Sequence, residues 1–326
     1  MDRRRSLAAL LALGLVPARL AAQRRMPRIG YLSLPPITEL PSRERQAFLD
    51  GLGEFGLVPG KSIEIIYRSA ENEPDFLRPM CEELLREGVV LLATPGAFPT
   101  LAALSATRSV PIVFLALGDP VGSGVTTSLA RPDRNATGST FVSSELAGKR
   151  LEFLKRAVPG ARRVALLWER NNRNAQSEAM AAQTAAGVLG LVAESLPVDT
   201  QAGLNAALRR IAADRPDAIY VSFAAGVISN NRSTIAEFGL LHRLPVVSGW
   251  AFMTEAGGLL SYAPDVPAMF RRSAYYVYRI LNGAKPEDLP IERATKFELV
   301  LNKATARSLK LELPPDLTLQ ANRVIE

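Results

Sequence analysis

Three observations predict an α/β chain built as two similar lobes with parallel sheets. Short apolar runs alternate with amphipathic stretches along almost the whole sequence, the pattern of βαβ units. The alternation runs through twice. The shift that carries Arg28 onto Arg162 also carries Phe55-Gly56-Leu57-Val58 onto Leu189-Gly190-Leu191-Val192, and Val110-Pro111-Ile112-Val113 onto Leu244-Pro245-Val246-Val247. With 326 residues, 48% of them hydrophobic, the chain is long enough for two separate cores.

In the first series Arg28-Ile29-Gly30-Tyr31-Leu32 reads as a strand, and Ser42 caps the helix that follows. The apolar positions Phe48, Leu52 and Phe55 recur at i, i+4 and i+7, and Gly56 closes that helix. Strand 63–67, helix 76–86, strand 89–93, helix 98–106 and strand 111–115 complete the series, and a boundary falls near residues 138–144. The second series reads as strand 164–168, helix 175–189, strand 191–196, helix 204–212, strand 218–223, helix 235–241 and strand 246–247. The stretch after Tyr262 must belong to one lobe or both. Such a fold opens its cleft at the carboxyl ends of the strands, where loops of the two lobes face each other.

Composition shortens the list of functions. One Cys (Cys81) and one His (His242) exclude an intramolecular disulfide, a Cys/His zinc cluster, a CxxC redox pair and an iron–sulfur site. No cofactor, no metal and no catalytic residue is expected. Four arginines against one aspartate in residues 1–22 supply three of the seven net positive charges. The other four are too dispersed to track a phosphate backbone, so no nucleic-acid partner is expected. The same segment reads as an export signal cleaved near Ala22: basic Arg3-Arg4-Arg5, an apolar run over 6–16, the breaker Pro17, and small Ala21-Ala22. The run is about half the ~20 residues that a membrane-spanning helix needs. Arg4-Arg5-Ser6-Leu7 loosely fits a twin-arginine signal. A periplasmic, monomeric protein is expected.

Two glycine motifs are misplaced for phosphate binding. Gly51-Leu52-Gly53-Glu54-Phe55-Gly56 spells G-x-G-x-x-G, but it ends a helix and precedes a strand, the reverse of the dinucleotide order. Gly56 to Ser62 is one residue short of a phosphate loop. His242 is placed at a helix C-terminus, where partial positive charge is favourable. Cys81 reads as a buried, inert thiol.

The chemistry is expected in the strand-end loops. In the first lobe these are Ser33-Leu34-Pro35, Thr94-Pro95-Gly96-Ala97 and Leu117-Gly118-Asp119-Pro120. In the second they are 169–174, Ser222-Phe223-Ala224-Ala225-Gly226 and Ser248-Gly249-Trp250. Hydroxyls and glycines at helix N-termini suit an anionic group, because free N–H donors and the helix dipole point at it. Asp119 suits an ammonium, and Phe223, Trp250 and Tyr262 can wall an apolar moiety.

Collinear segments carry a further likeness. They include Ile29-Gly30-Tyr31-Leu32-Ser33, Gly118-Asp119-Pro120-Val121, Asn135-Ala136-Thr137-Gly138 and Lys149-Arg150-Leu151-Glu152. Glu255-Ala256-Gly257-Gly258-Leu259, Ile280-Leu281-Asn282-Gly283-Ala284-Lys285-Pro286 and Thr295-Lys296-Phe297-Glu298-Leu299-Val300 continue the series. Through them the chain resembles the ABC-transporter substrate-binding proteins, in the group that includes tryptophan and other aromatic amino-acid binders. The resemblance implies the type I periplasmic binding fold: two Rossmann-like lobes joined by three crossover strands, clamping a small ligand by hinge closure. It implies an export signal over 1–22, a first lobe of 27–140 plus 265–290, and a second of 142–262 plus 291–326. It places Ser33, Thr94, Gly96 and Asp119 in the first-lobe ligand loops, and Asn172, Phe223, Trp250 and Tyr262 in those of the second lobe or hinge. The implied partners are a small organic solute and an inner-membrane permease.

The chain departs from the family pattern in three places. Glu169-Arg170-Asn171-Asn172-Arg173-Asn174 stands where members often carry Asn-Pro-Asn-Asn-Pro-Asn. An acidic residue common near Ala224 is missing, as are charges common around Gly249 and Ala251. An uncharged or apolar ligand side group against Trp250 and Phe223 is therefore expected. Two other readings stay open: a ligand-sensing module that docks a receptor, and an exported enzyme using Asp119, Glu169 and Asp265.

Overall fold

The computed structural model describes residues 26–222 and 226–326. The expected export signal and Phe223 lie outside the described residues. In the first half, strands β1 (Arg28–Ser33), β2 (Glu64–Ser69), β3 (Leu91–Thr94), β4 (Ile112–Leu117) and β5 (Ala136–Thr140) alternate with helices α1 (Arg43–Glu54), α2 (Leu77–Arg86) and α3 (Ala97–Ala106). The second half opens with α4 (Ser143–Ala157), β6 (Arg163–Glu169), α5 (Arg173–Val188), β7 (Val192–Val198), α6 (Gln201–Asp214) and β8 (Ala218–Val221). It continues through α7 (Val227–Asn230), α8 (Arg232–His242), β9 (Val246–Ser248), α9 (Ala251–Glu255) and β10 (Leu260–Pro264). The last stretch holds α10 (Val266–Leu281), β11 (Glu292–Arg293), β12 (Phe297–Asn302), α11 (Lys303–Ser308), α12 (Pro315–Gln320) and β13 (Arg323–Ile325).

Two sheets result, as the sequence predicts. One has the order β11-β5-β4-β3-β1-β2 and the other β13-β12-β10-β9-β8-β6-β7. Every pairing is parallel except β10 with β12. Strands covered by helices on both faces must be apolar throughout, and β4 is buried at all six positions. Helix starts follow local chemistry. Ser42 Oγ accepts from the Arg45 amide, Thr200 Oγ1 from the Gly203 amide, and an Asp265 carboxylate oxygen from the Ala268 amide.

Each sheet carries a core on both faces. Tyr31, Phe48, Leu115 and Phe270 belong to one side of the first sheet, and Leu32, Leu84 and Phe114 to the other. The second sheet likewise separates Leu151, Leu166, Tyr220 and Leu260 from Leu167, Val221, Ile235 and Val246. The glycine motif at the end of α1 is a packing and turning device. A Cβ on Gly51 would stand 2.5 Å from the Arg271 carbonyl oxygen of α10, and Gly56 turns the chain at φ +71°.

The chain passes between the sheets after β5, after β10 and between β11 and β12. Helix α10 returns to pack on α1 and β4, whereas β12 and β13 extend the second sheet. The third passage falls slightly later than residue 291. Glu292 and Arg293 pair with Ser139 and Thr140, so the backbone of β5 gains a partner before the chain leaves the first sheet.

Candidate functional site

The loops after β1, β3 and β4 stand side by side, because these strands are neighbours in the first sheet. Their polar side chains are largely spent on shaping the turns. Ser33 Oγ donates to the Pro35 carbonyl at 2.9 Å. The Thr94 hydroxyl, fully buried, shares a 2.8 Å hydrogen bond with the Thr100 hydroxyl, which reaches the Gly96 carbonyl at 2.6 Å. Asp119 Oδ1 accepts from the amides of Val121 and Gly122 at 3.1 and 2.9 Å. Gly96 differs from the others. It precedes α3 at φ +83°, no side chain caps that helix, and the space beside its Cα is open.

In the second lobe Asn172 caps α5, its Oδ1 accepting from the amides of Asn174 and Ala175. Trp250 follows β9, its amide donating to Ser248 Oγ at 3.0 Å and its ring stacked on Phe252 with centroids 4.8 Å apart. Tyr262 is placed differently. Its ring meets Phe153 edge-on at 5.2 Å and stacks on Phe297 at 5.8 Å, within the layer between α4 and the sheet. The two sets of loops meet at Gly118, where a Cβ would lie 3.0 Å from Asn174 Nδ2. The structure thus brings Ser33, Thr94, Gly96 and Asp119 to one lip of a cleft and Asn172 and Trp250 to the other.

The three acids considered for catalysis are all engaged by backbone amides: Asp119 as above, Glu169 Oε1 by Ile228 at 3.0 Å, and Asp265 by Ala268 at 3.0 Å. Among the described residues no group of three or more His, Cys, Asp or Glu side chains could hold a metal ion. No helix among them is long and apolar enough to cross a membrane. A separate cavity of about 400 Å³ opens beside the crossovers, lined by Ser139, Asp265, Tyr275, Glu292 and Lys296 among others. Its Arg271 and Arg272 are tied to Glu54 and Glu292, and its lining includes the residues that follow β10 and β11 but none from the loops after β1, β3 and β4.

Beneath the second-lobe lip lies a polar cluster that the loop reading missed. Arg150, Glu178 and Tyr220 are completely buried and Ser143 almost so. Arg150 Nη1 approaches Glu178 Oε1 at 2.6 Å, the Tyr220 hydroxyl donates to the same oxygen at 2.7 Å, and Ser143 Oγ donates to Oε2. Arg150 Nε donates to the Tyr262 carbonyl at 2.7 Å. Burial draws the guanidinium pKa down, but Glu178 and Tyr220 outweigh it and hold it above its ordinary value. Burial first, and then the Glu178 charge, push the Tyr220 phenol well above its usual range. The sequence did carry a signal. Glu178 interrupts the apolar face that Ala175, Ala179, Ala182 and Ala186 make on α5.

Two facing α/β lobes, three connections between them and a cleft lined by strand-end loops define a hinged protein that clasps a ligand. Residues 37–325 match the ABC transporter substrate binding protein family, and the chain belongs to it. It is the substrate-binding component of such a transporter. The chain is 21% identical over 287 residues to a tyrosine-binding protein of Clostridioides difficile, covering 86% of this chain and 81% of that one. Two solved structures superpose with a TM-score of 0.86, each covering 92% of this chain and 100% of its own. One is a conserved domain protein from Vibrio cholerae, 24% identical. The other is an ABC domain from Streptococcus pneumonia in complex with L-Trp, 23% identical.

Proposed function

We propose that the protein is exported and captures an α-amino acid with an aromatic or other apolar side group, which it hands to an inner-membrane permease without altering it. The observation that carries this reading is the apposition of the two loop sets at Gly118 and Asn174, with the half-buried ring of Trp250 on the second-lobe lip. The named ligands of the tyrosine-binding relative and of the L-Trp complex support the choice of side group. The moving bodies are residues 27–140 with 265–293, and 142–262 with 297–326. Ligand contacts come from Trp250 and Phe223, from backbone at Gly96 and beside Ser33, Thr94 and Asp119, and from the Asn172 turn. Tyr262 supports the hinge strand from behind. Ligand bridges both lobes only when they close, so binding shifts the open–closed equilibrium toward the form that a permease engages.

Residues 1–22 direct export and are removed near Ala22, and Arg4-Arg5-Ser6-Leu7 loosely fits a twin-arginine signal. N-terminal sequencing of protein recovered from the periplasm tests this. The mature protein acts as a monomer, binds no nucleic acid and turns over no substrate. A thermal-shift screen against amino acids tests the central reading. A tight ligand at a thousandfold excess over Kd stabilises the folded state by about 4 kcal/mol. Tight binding restricted to dianionic or dicationic compounds would overturn it, as would unchanged affinity in Trp250→Ala.

A further inference from the structure

We infer that the ligand's polar head is held by the second lobe, its carboxylate by Arg150 Nη2 and the Ser222 hydroxyl and its ammonium by Asn174 Oδ1. The inference rests on the reading of the ligand as an α-amino acid. It begins from an asymmetry between the two lips. Ser33, Thr94 and Asp119 in the first lobe are each bonded within their own turns. In the second lobe Arg150 Nη2, Ser222 Oγ and Asn174 Oδ1 are buried with no hydrogen-bond partner among the described residues. The three residues are 0, 1 and 7% exposed. Buried polar atoms without partners are rare in folded proteins, and each costs about 1–3 kcal/mol.

Connectivity places the three in one layer. Glu178, Tyr220 and Arg150 form the layer below, joined through the Glu178 carboxylate. Asn174 stands one helical turn from Glu178 toward the start of α5, which is the cleft end of that helix. Ser222 lies two residues beyond Tyr220, on the same side of the sheet, with its amide still donating to Leu167 of β6. Gly249 follows β9, its amide donating to the Val221 carbonyl, and a Cβ there would lie 2.8 Å from Arg150 Nη2. Arg150 Nη2 therefore reaches the cleft end of β9 from beneath. Gly118 of the first lobe stands against Asn174, where a Cβ would lie 3.0 Å from Nδ2, so separation of the lobes uncovers the Asn174 end of this layer.

The chemistry is that of a zwitterion. The guanidinium N–H and the hydroxyl are donors suited to a carboxylate, while Asn174 Oδ1 is an acceptor suited to an ammonium. Glu178 already neutralises Arg150, so the site gains no net charge and favours a zwitterion over a simple anion. The lack of a side chain at Gly249 is what lets the guanidinium stand so close to the strand end.

The test is isothermal titration of the wild-type protein, Ser222→Ala and Asn174→Ala. The probes are L-tryptophan, tryptamine and indole-3-propionate, then L-tyrosine with its own amine and deaminated acid. Wild type should prefer an amino acid over both truncated probes by at least about a hundredfold, since either leaves buried groups unpaired. Ser222→Ala should weaken the amino acid and the acid by about tenfold and spare the amine. Asn174→Ala should weaken the amino acid and the amine by about tenfold and spare the acid. Neither variant should melt lower without ligand, because neither Ser222 Oγ nor Asn174 Oδ1 has a partner to lose. Wild-type affinity for the amino acid in both variants overturns the assignment and leaves the amino-acid reading standing. Failure of the wild-type protein to bind any amino acid overturns both.

Discussion

Glu178→Gln isolates what the buried charge pair contributes. The Glu178 carboxylate takes Arg150 Nη1 at 2.6 Å and the Tyr220 hydroxyl at 2.7 Å, with Ser143 on its second oxygen. Both members of the pair have side chains that are 0% exposed. The amide keeps the size of the side chain but removes its charge and turns one acceptor into a donor. Arg150 cannot shed a proton to adapt, so a cation is left buried without its counter-charge. Loss of one partner of a buried pair costs about 3–5 kcal/mol. In a chain of this size each kcal/mol moves Tm by on the order of 2 °C, so a fall of roughly 6–10 °C is expected. Urea unfolding followed by tryptophan fluorescence measures the free energy, and differential scanning fluorimetry the temperature. Replacing both partners together, as Arg150→Met with Glu178→Met, should recover much of the loss, because the pair's desolvation cost disappears with it. A loss below about 1 kcal/mol in Glu178→Gln would refute the reasoning.

Gly51→Ala should destabilise the first lobe by about 1–3 kcal/mol, because the new Cβ meets backbone, the Arg271 carbonyl at 2.5 Å, and not a side chain that can swing away; urea midpoints of the two proteins check this. The Thr127 amide and the hydroxyls of Thr126 and Thr127 hold the Asp133 carboxyl down at about 2. A depressed folded-state pKa stabilises above the unfolded value near ~3.9 and loses that contribution as pH falls toward 2. NMR titration should place the Asp133 midpoint well below 3, and a midpoint near 4 would show that the hydrogen bonds are not made. Burial pushes the Cys81 thiol up to about 11. The folded protein should therefore stay unlabelled by a thiol reagent at pH 8 and react promptly in denaturant; rapid labelling under native conditions contradicts the buried placement.

The strands and helices were legible because parallel βαβ units write themselves into short-range pattern. The 63–67 and 191–196 runs emerge as β2 and β7 within one or two residues at each end, and Ser42 caps α1 as read. The strand-end loops were legible for the same reason, since topology alone sends β1, β3, β4, β6, β8 and β9 to the cleft. Which side chains in those loops are free was not legible. Thr94 and Asp119 look wholly available in sequence, yet the Thr94 hydroxyl is bonded to Thr100 and one Asp119 oxygen takes the amides of Val121 and Gly122. Tyr262 looked like a cleft wall because it is aromatic and lies near a crossover. In the structure its half-buried ring also packs against Phe153 and Phe297.

The amino-acid sequence by itself determined the two-lobed α/β architecture, the repeat that relates the lobes, and the exclusion of an intramolecular disulfide or a Cys/His metal cluster. All of these depend on residue type and on spacings of a few positions. Only the tertiary structure decided that Arg150 of α4, Glu178 of α5, Tyr220 of β8 and Gly249 beyond β9 form one buried cluster under the cleft. Those residues are far apart along the chain. Desolvation, which makes an unpaired buried group costly, acts through distance in space and leaves no local period in the sequence to read.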